Sequence, residues 1–414
     1  MRICQVSAGL VPLTSSKVDA TNRIILGLST QMALLGHEVD VLSYDCEGTE
    51  VLPFSVTNLK MPIALRNSAA TRVIAFGLAA ARKLASNRGI YDYDIVHFQG
   101  PVSAVLGSLS ARGTNTPSVY TNGNPNLAVE FPAIRGPFRR LRMAKILNTS
   151  HLPFLNAVGS VYFESLAFNR CNKTIAVSKT LRRGIIDHFG VVEKKVVSIP
   201  NGVDLNQYRP SPPDPQILAT HDLGGKRIVL CLARIAPYKN QLCLVKAIPT
   251  IVEQVPEAQF LFVGPINKPF LSYYEELARV AKSLGVEKKC TFTGEVNASL
   301  LPKYYSIADV FVLASISEGL PLVLLEAMSS GKAIVASRIP QNLELAINGD
   351  EMVFAASDDF SRFAREILVL LTDSGKAKEM GSNARRTAEA QFSWLSVAKR
   401  TLDLYDALKL EIGS

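Results

Sequence analysis

The sequence predicts an α/β protein made of two doubly wound, parallel-sheet domains. Three observations carry that expectation. Short apolar runs of strand length alternate with longer segments whose apolar residues recur at helical spacing. The alternation occurs twice, on either side of the proline-rich stretch Tyr208–Pro215. At 414 residues the chain is long enough for two domains of ordinary size. The expected division is 1–207, then 208–392, then a terminal segment 393–414.

The first half opens with a strand over Arg2–Ser7. From Thr21 the apolar residues Ile24, Ile25, Leu28, Met32 and Leu35 fall at helical spacing, and Gly36 ends that helix. Glu38–Ser43 returns as a strand and completes a βαβ unit. Asp94–Phe98 and Pro117–Thr121 are further strands, followed by the loops Gln99–Pro101 and Asn122–Pro125. Ligands of open parallel sheets sit beyond the carboxyl ends of strands, so both loops are candidates to line a site. Lys173–Ser178 reads as a strand, Thr180–Phe189 as a helix stopped by Gly190, and Val196–Pro200 as the last strand of this half. Asn201–Asp204 is turn chemistry at the junction, and the prolines after it mark a linker.

In the second half Arg227–Ala233, Gln259–Gly264 and Cys290–Gly294 read as strands, with helices over Gln241–Gln254, Ser272–Leu284 and Leu300–Ile307. Val310–Ala314 and Ala333–Ser337 are strands flanking a helix of about three turns. Pro321 suits the first position of that helix, where a missing N–H costs nothing, and Gly331 suits the left-handed residue past its end. A strand over Glu351–Ala356 and helices over Phe360–Leu371 and Lys376–Gln391 precede a last helix to Leu410. Trp394, at its start, is expected to pack.

The net charge of +9 implies anionic partners. No apolar run approaches the ~18 residues that a membrane-spanning helix needs. The opening MRICQVSAGLVP is a strand pattern rather than a signal peptide. Six cysteines are scattered with no C-x-x-C pair, so a reducing cytoplasm fits better than a disulfide framework or a zinc cage. Arg135, Arg139, Arg140, Arg142 and Lys145 crowd together with Phe138, Leu141, Met143 and Ile146. Such a segment suits an anionic membrane surface, and equally a solvated helix face or a wall of the acceptor site.

The candidate chemistry concentrates in SEGLPLVLLEAMSSGKAIVAS, Ser317–Ser337. Glu318 lies in the loop before the short helix and Glu326 lies inside it. The helix start between them, Gly319–Leu320–Pro321–Leu322, offers backbone N–H groups outside the intrahelical pairing and a partial positive charge, a favourable place for a phosphate. Glutamates beside it can accept hydrogen bonds from sugar hydroxyls, as acidic residues do toward ribose in dinucleotide folds. Arg234 and Lys239, in ARIAPYK, place two cations at a strand end where a diphosphate would lie. Read together, these parts describe a site for a sugar nucleotide.

The run from Glu318 through Glu326 to Gly331, with Gly319, Pro321, Ala327 and Met328, resembles the signature of family 4 retaining glycosyltransferases, the group 1 glycosyl transferases. ARIAPYK resembles the same family's Gly-Arg…Lys segment, with Ala233 where glycine is common, and KTIAVSKTLRRGI…VVSIPNGVD resembles its inter-domain region. The resemblance implies the GT-B fold, two Rossmann-like domains facing each other across a cleft, with the terminal helix crossing back to the first. It implies that Gly294, Glu295 and Val296 cradle the nucleotide base through their backbone. Ser15–Ser16 stand where the family often has two glycines, Asn122 stands where a histidine is common, and His97 matches a histidine of the preceding strand. Asn122 can hydrogen-bond a hydroxyl but cannot shuttle a proton. His97 fits a core histidine as well as a site residue.

The activity so implied is transfer of a hexose-type sugar from a nucleotide diphosphate sugar to a glycan or lipid-linked acceptor, with retention. Arg234, Lys239 and Glu318 would be catalytic; Gly294–Val296, Gly319–Leu322 and Glu326 would bind the donor. Beyond the donor no cofactor, metal or nucleic acid is called for. The expected location is the cytoplasm, at or near the membrane surface. A sugar-nucleotide epimerase on the same scaffold and a non-catalytic sugar-nucleotide- or glycan-binding protein are the alternatives.

Overall fold

The computed structural model describes residues 1–9, 13, 20–44, 52–61, 68–86, 93–110, 116–123 and 152–413. Ser15, Ser16 and the basic segment Arg135–Lys145 lie outside them. The chain divides into two compact units, Met1–Gly202 with Trp394–Ser414, and Val203–Ser393.

The first unit is built on seven strands: β1 (Arg2–Val6), β2 (Glu38–Ser43), β3 (Ser55–Asn58), β4 (Ile95–Phe98), β5 (Ser118–Asn122), β6 (Lys173–Ala176) and β7 (Val196–Ser198). They are parallel throughout, in the order β3-β2-β1-β4-β5-β6-β7. Covered on both faces, the central strands bury nearly every side chain, which is why they read as continuous apolar runs. Helices Ala20–Leu34, Ala69–Ala85, Pro101–Ser110, Leu152–Arg170 and Lys179–Phe189 connect them. Gly190 stops the last of these at φ 65°. Pro101, expected in a loop, is the first residue of a helix, where its fixed φ is preorganised. Helix Trp394–Gly413 belongs to this unit and packs Trp394, Ala398, Leu402 and Tyr405 into a core with Ile3, Leu28 and Met32.

The second unit has six parallel strands: β8 (Arg227–Leu232), β9 (Ala258–Val263), β10 (Cys290–Gly294), β11 (Val310–Leu313), β12 (Ala333–Ser337) and β13 (Val353–Ala355). Their order is β10-β9-β8-β11-β12-β13. The proline-rich stretch is not a free linker. The Arg385 guanidinium donates to the carbonyls of Leu205, Tyr208 and Ser329 at 3.2, 2.9 and 2.6 Å, and the Tyr208 ring packs edge-on against Tyr305. Val203 N–H also donates to the Phe392 carbonyl at 2.7 Å. These bonds hold 203–207 on the second unit, so the junction falls at Gly202–Val203. No described helix is long and apolar enough to cross a membrane.

Candidate active site

In the second unit the strand order reverses between β8 and β11, and the crevice at the carboxyl ends of such a pair is where open α/β sheets bind ligands. Arg234 and Lys239 follow β8; Glu318 and Gly319–Leu322 follow β11. The two loops are bonded together. Ile316 N–H donates to the Tyr238 carbonyl at 2.9 Å. Asn240, in the left-handed region at φ 56°, donates its amide to the carbonyls of Ala314 and Ser357 at 3.2 and 2.6 Å. The Gln241 amide holds the Arg234 carbonyl at 2.8 Å.

Across this crevice the Lys239 ammonium meets Glu318 Oε1 at 2.5 Å. The side chains are only 16% and 9% exposed, so each needs the other as counter-charge. The Tyr238 ring lies 5.6 Å from the ammonium, and its hydroxyl lies 3.4 Å from Arg234 Nη1. Arg234 itself is exposed. Tyr238 was not singled out from sequence; its position inside ARIAPYK, between the two cations, was the available signal.

The helix that follows is shorter than expected and begins later. It spans Leu322–Ser329, eight residues and just over two turns. Pro321 precedes it in extended conformation, φ −73° and ψ 114°, and no side chain caps the first turn. The Pro321 carbonyl already accepts from Leu324 N–H at 3.1 Å, so proline acts as the cap residue and the helix starts one position later. Gly331, at φ +66°, takes the left-handed position past the end. Glu326 is 3% exposed, and Tyr305 Oη donates to its Oε2 at 2.9 Å.

Gly294 turns the end of β10 at φ +72° and its carbonyl accepts from Gly264 N–H at 3.1 Å. A side chain on Gly264 would meet the Ala233 carbonyl oxygen at 2.2 Å. Glycine there lets the ends of β8 and β9 approach closely, and the Gly264–Gly294 bond joins the end of β10 to them. Glu295 is exposed and Val296 half-buried.

The remaining candidates belong to the first unit. His97 is fully buried. Its Nδ1 pairs with Tyr405 Oη and its Nε2 with Thr121 Oγ1, both at 2.6 Å, and burial lowers its pKa to about 3. This is the arrangement of a neutral core histidine, and it ties the terminal helix to the sheet. Asn122 ends β5, 2% exposed, with its Oδ1 unpartnered among the described residues. No described group of three His, Cys, Asp or Glu side chains is placed to hold a metal ion.

Two family models match the chain: Glycosyltransferase Family 4 over residues 21–207, and Glycosyl transferases group 1 over residues 216–387. The GDP-mannose-dependent alpha-(1-6)-phosphatidylinositol monomannoside mannosyltransferase of Mycobacterium tuberculosis is 32% identical over 50% of this chain and 54% of its own. The chain thus spans about half the length of that relative. Spore coat protein SA of Bacillus subtilis is 30% identical over 60% of this chain and 67% of its own. Among solved structures, sucrose-phosphate synthase from Thermosynechococcus elongatus superposes with a TM-score of 0.76 at 20% identity, covering 98% of each chain. The Anabaena protein HepE, solved with UDP and glucose, gives 0.72 at 19% identity over 98% of this chain and 99% of its own. Those likenesses speak to the fold. The chain belongs to the family 4, group 1 glycosyltransferases, built from two Rossmann-like domains of the GT-B type.

Proposed function

We propose that this glycosyltransferase moves a hexose-type sugar from a nucleotide diphosphate sugar to an acceptor hydroxyl, with retention at the anomeric carbon. The observation that carries the reading is the buried Lys239–Glu318 pair at the switch point, beside a helix start that no side chain caps. When the bond from the anomeric carbon to the diphosphate breaks, both electrons leave on a phosphate oxygen. Arg234, Lys239 and the backbone N–H groups of Gly319, Leu320 and Leu322 stabilise that growing charge. The acceptor hydroxyl forms the new bond on the same face and passes its proton to the departing oxygen. Glu318 holds sugar hydroxyls, Glu326 the ribose hydroxyls, and the backbone of Gly294–Val296 the base.

The relatives' names support a nucleotide-sugar donor: one is GDP-mannose-dependent, and HepE was solved with UDP and glucose. The acceptor, a glycan or a lipid-linked glycan, falls to the first unit, with Ser15, Ser16 and Asn122 as its candidate residues. The Arg135–Lys145 segment would hold the enzyme to an anionic membrane surface on the cytoplasmic side.

The test is a screen of UDP- and GDP-sugars for thermal stabilisation, since a ligand raises apparent stability by mass action. Acceptor-dependent release of nucleoside diphosphate is then measured, and the product's anomeric configuration is read by proton NMR. Arg234→Ala and Lys239→Ala should each lower turnover by about a hundredfold or more. Near-native turnover in both would remove the leaving-group argument, and an inverted product would overturn retention.

A further inference from the structure

We infer that Tyr305 is a positioning residue for nucleotide binding, its hydroxyl orienting the Glu326 carboxylate that receives the ribose. The inference rests on the role given to Glu326 above and adds the group through which that role is exercised.

Glu326 is 3% exposed and Tyr305 fully buried. A carboxylate so far from water needs donors on its oxygens. Side chains of a helix lean toward its N-terminus, so the Glu326 carboxylate lies back over the first turn of Leu322–Ser329. No side chain caps that turn, where the diphosphate end of the donor is expected. Tyr305 Oη sits 2.9 Å from Glu326 Oε2 and 3.0 Å from the Val323 carbonyl. A phenol has one proton to give, and the carboxyl oxygen is the nearer of the two acceptors.

The phenol is itself held from three sides. Its ring stands edge-on to Tyr208 at 5.7 Å and lies tilted against Phe311 of β11 at 5.5 Å. The helix that carries it, Leu301–Ile307, is pinned at its C-terminal end by Lys332, whose ammonium donates to the carbonyls of Ser306 and Ala308 at 3.0 and 3.1 Å. A group fixed this way holds its acceptor in place before the ligand arrives, which lowers the cost of binding.

A core tyrosine with no functional part would share the burial and the ring contacts, so the test reads the coupling. Tyr305→Phe, Glu326→Gln and the double variant are titrated calorimetrically with UDP and, separately, GDP. Tyr305→Phe should weaken the nucleotide that binds by roughly 5- to 20-fold, raising KM with kcat nearly unchanged. In the Glu326→Gln background the same change should add almost nothing. Equal losses in both backgrounds would mean that Tyr305 acts through packing alone, and would overturn the inference. Unchanged affinity in Tyr305→Phe, with a loss in Glu326→Gln, would overturn it and leave the reading of Glu326 standing. Unchanged affinity in Glu326→Gln would overturn that reading and the inference with it. Should Tyr305→Phe fail to fold, 3-fluorotyrosine at position 305 keeps the hydroxyl and nearly the size, while its ring fluorine makes the phenol a stronger donor. It must then shift affinity in the native background and not beside Glu326→Gln.

Discussion

Lys239 and Arg234 stand on the same loop, carry the same charge and are given the same task, yet the protein should respond differently to losing them. Lys239 is mostly buried against Glu318; Arg234 is exposed. Removing Lys239 leaves a carboxylate that is 9% exposed without its counter-charge, a cost on the order of 2–3 kcal/mol. Removing Arg234 strands nothing. Lys239→Ala should therefore lower both turnover and the melting transition of the second unit, by about 5–10 °C. Arg234→Ala should lower turnover with the transition unmoved. Thermal unfolding beside turnover separates the two, and equal transitions would show that the Lys239–Glu318 pair contributes nothing to the fold. Individual residue types at strand ends were thus legible in the sequence, while their pairing was not. Lys239 and Glu318 are 79 positions apart and meet only because β8 and β11 are neighbours.

At the scale of elements, β8, β9, β11 and β12 of the second unit were legible almost to the residue because parallel strands covered on both faces are nearly unbroken apolar runs. Helices were harder in the first unit. Pro101–Ser110 has no charged residue and buries small residues around much of its surface, so it shows no polar stripe to set the period. Ala69–Ala85 is rich in alanine, yet Ser68 caps its start and Arg82 and Lys83 lie in its last turn, signals that the sequence did offer. Pro321 misled by one position because a proline that suits the first turn can also supply the cap carbonyl. The start of β12 carries a consequence for pH. Lys332 lies beside that strand with burial lowering its pKa from 10.5 to about 8, while Asp309 acts in the opposite direction. Between those values the unfolded chain binds more protons than the folded one, so this group's contribution to stability rises with pH across that window and is lost as pH falls through 8. The full contribution is about 3 kcal/mol. Buried thiols oppose it at higher pH, since burial pushes Cys231, Cys243 and Cys290 up to about 12. The difference between the native protein and Lys332→Met isolates the lysine. Denaturant midpoints from pH 7 to roughly 9.5 should rise in the native protein relative to the variant, and parallel curves would show that the ammonium is solvated after all.

At the scale of the whole molecule, the chain passes between its units twice, at Gly202–Val203 and at Ser393–Trp394. The boundary was legible only roughly, because prolines mark where a chain is stiff and not which side it packs on. That the last helix joins the first unit came from the family resemblance and has no local signature. Both passages meet at Trp394, the protein's one tryptophan. Its indole is 8% exposed and lies against Gly27 and Gly202, where an added Cβ would come within 2.3 and 2.4 Å of the ring. Neither glycine is needed for its φ; each is needed for the close approach. Gly202→Ala must push the ring aside, an overpacking cost of about 1–3 kcal/mol. Gly27→Ala meets the same ring, but it lies within helix Ala20–Leu34 and regains up to ~1 kcal/mol of helix propensity. The loss should therefore be larger at Gly202 than at Gly27. Because no second tryptophan interferes, intrinsic fluorescence reads this contact alone: a red-shifted emission and an earlier unfolding transition in Gly202→Ala, smaller changes in Gly27→Ala. Affinity for the nucleoside diphosphate should stay native in both, since every residue assigned to the donor lies within Val203–Ser393. Native emission and midpoint in Gly202→Ala would mean that the terminal helix docks without this contact, and a drop in nucleotide affinity would mean that the two units do not answer separately.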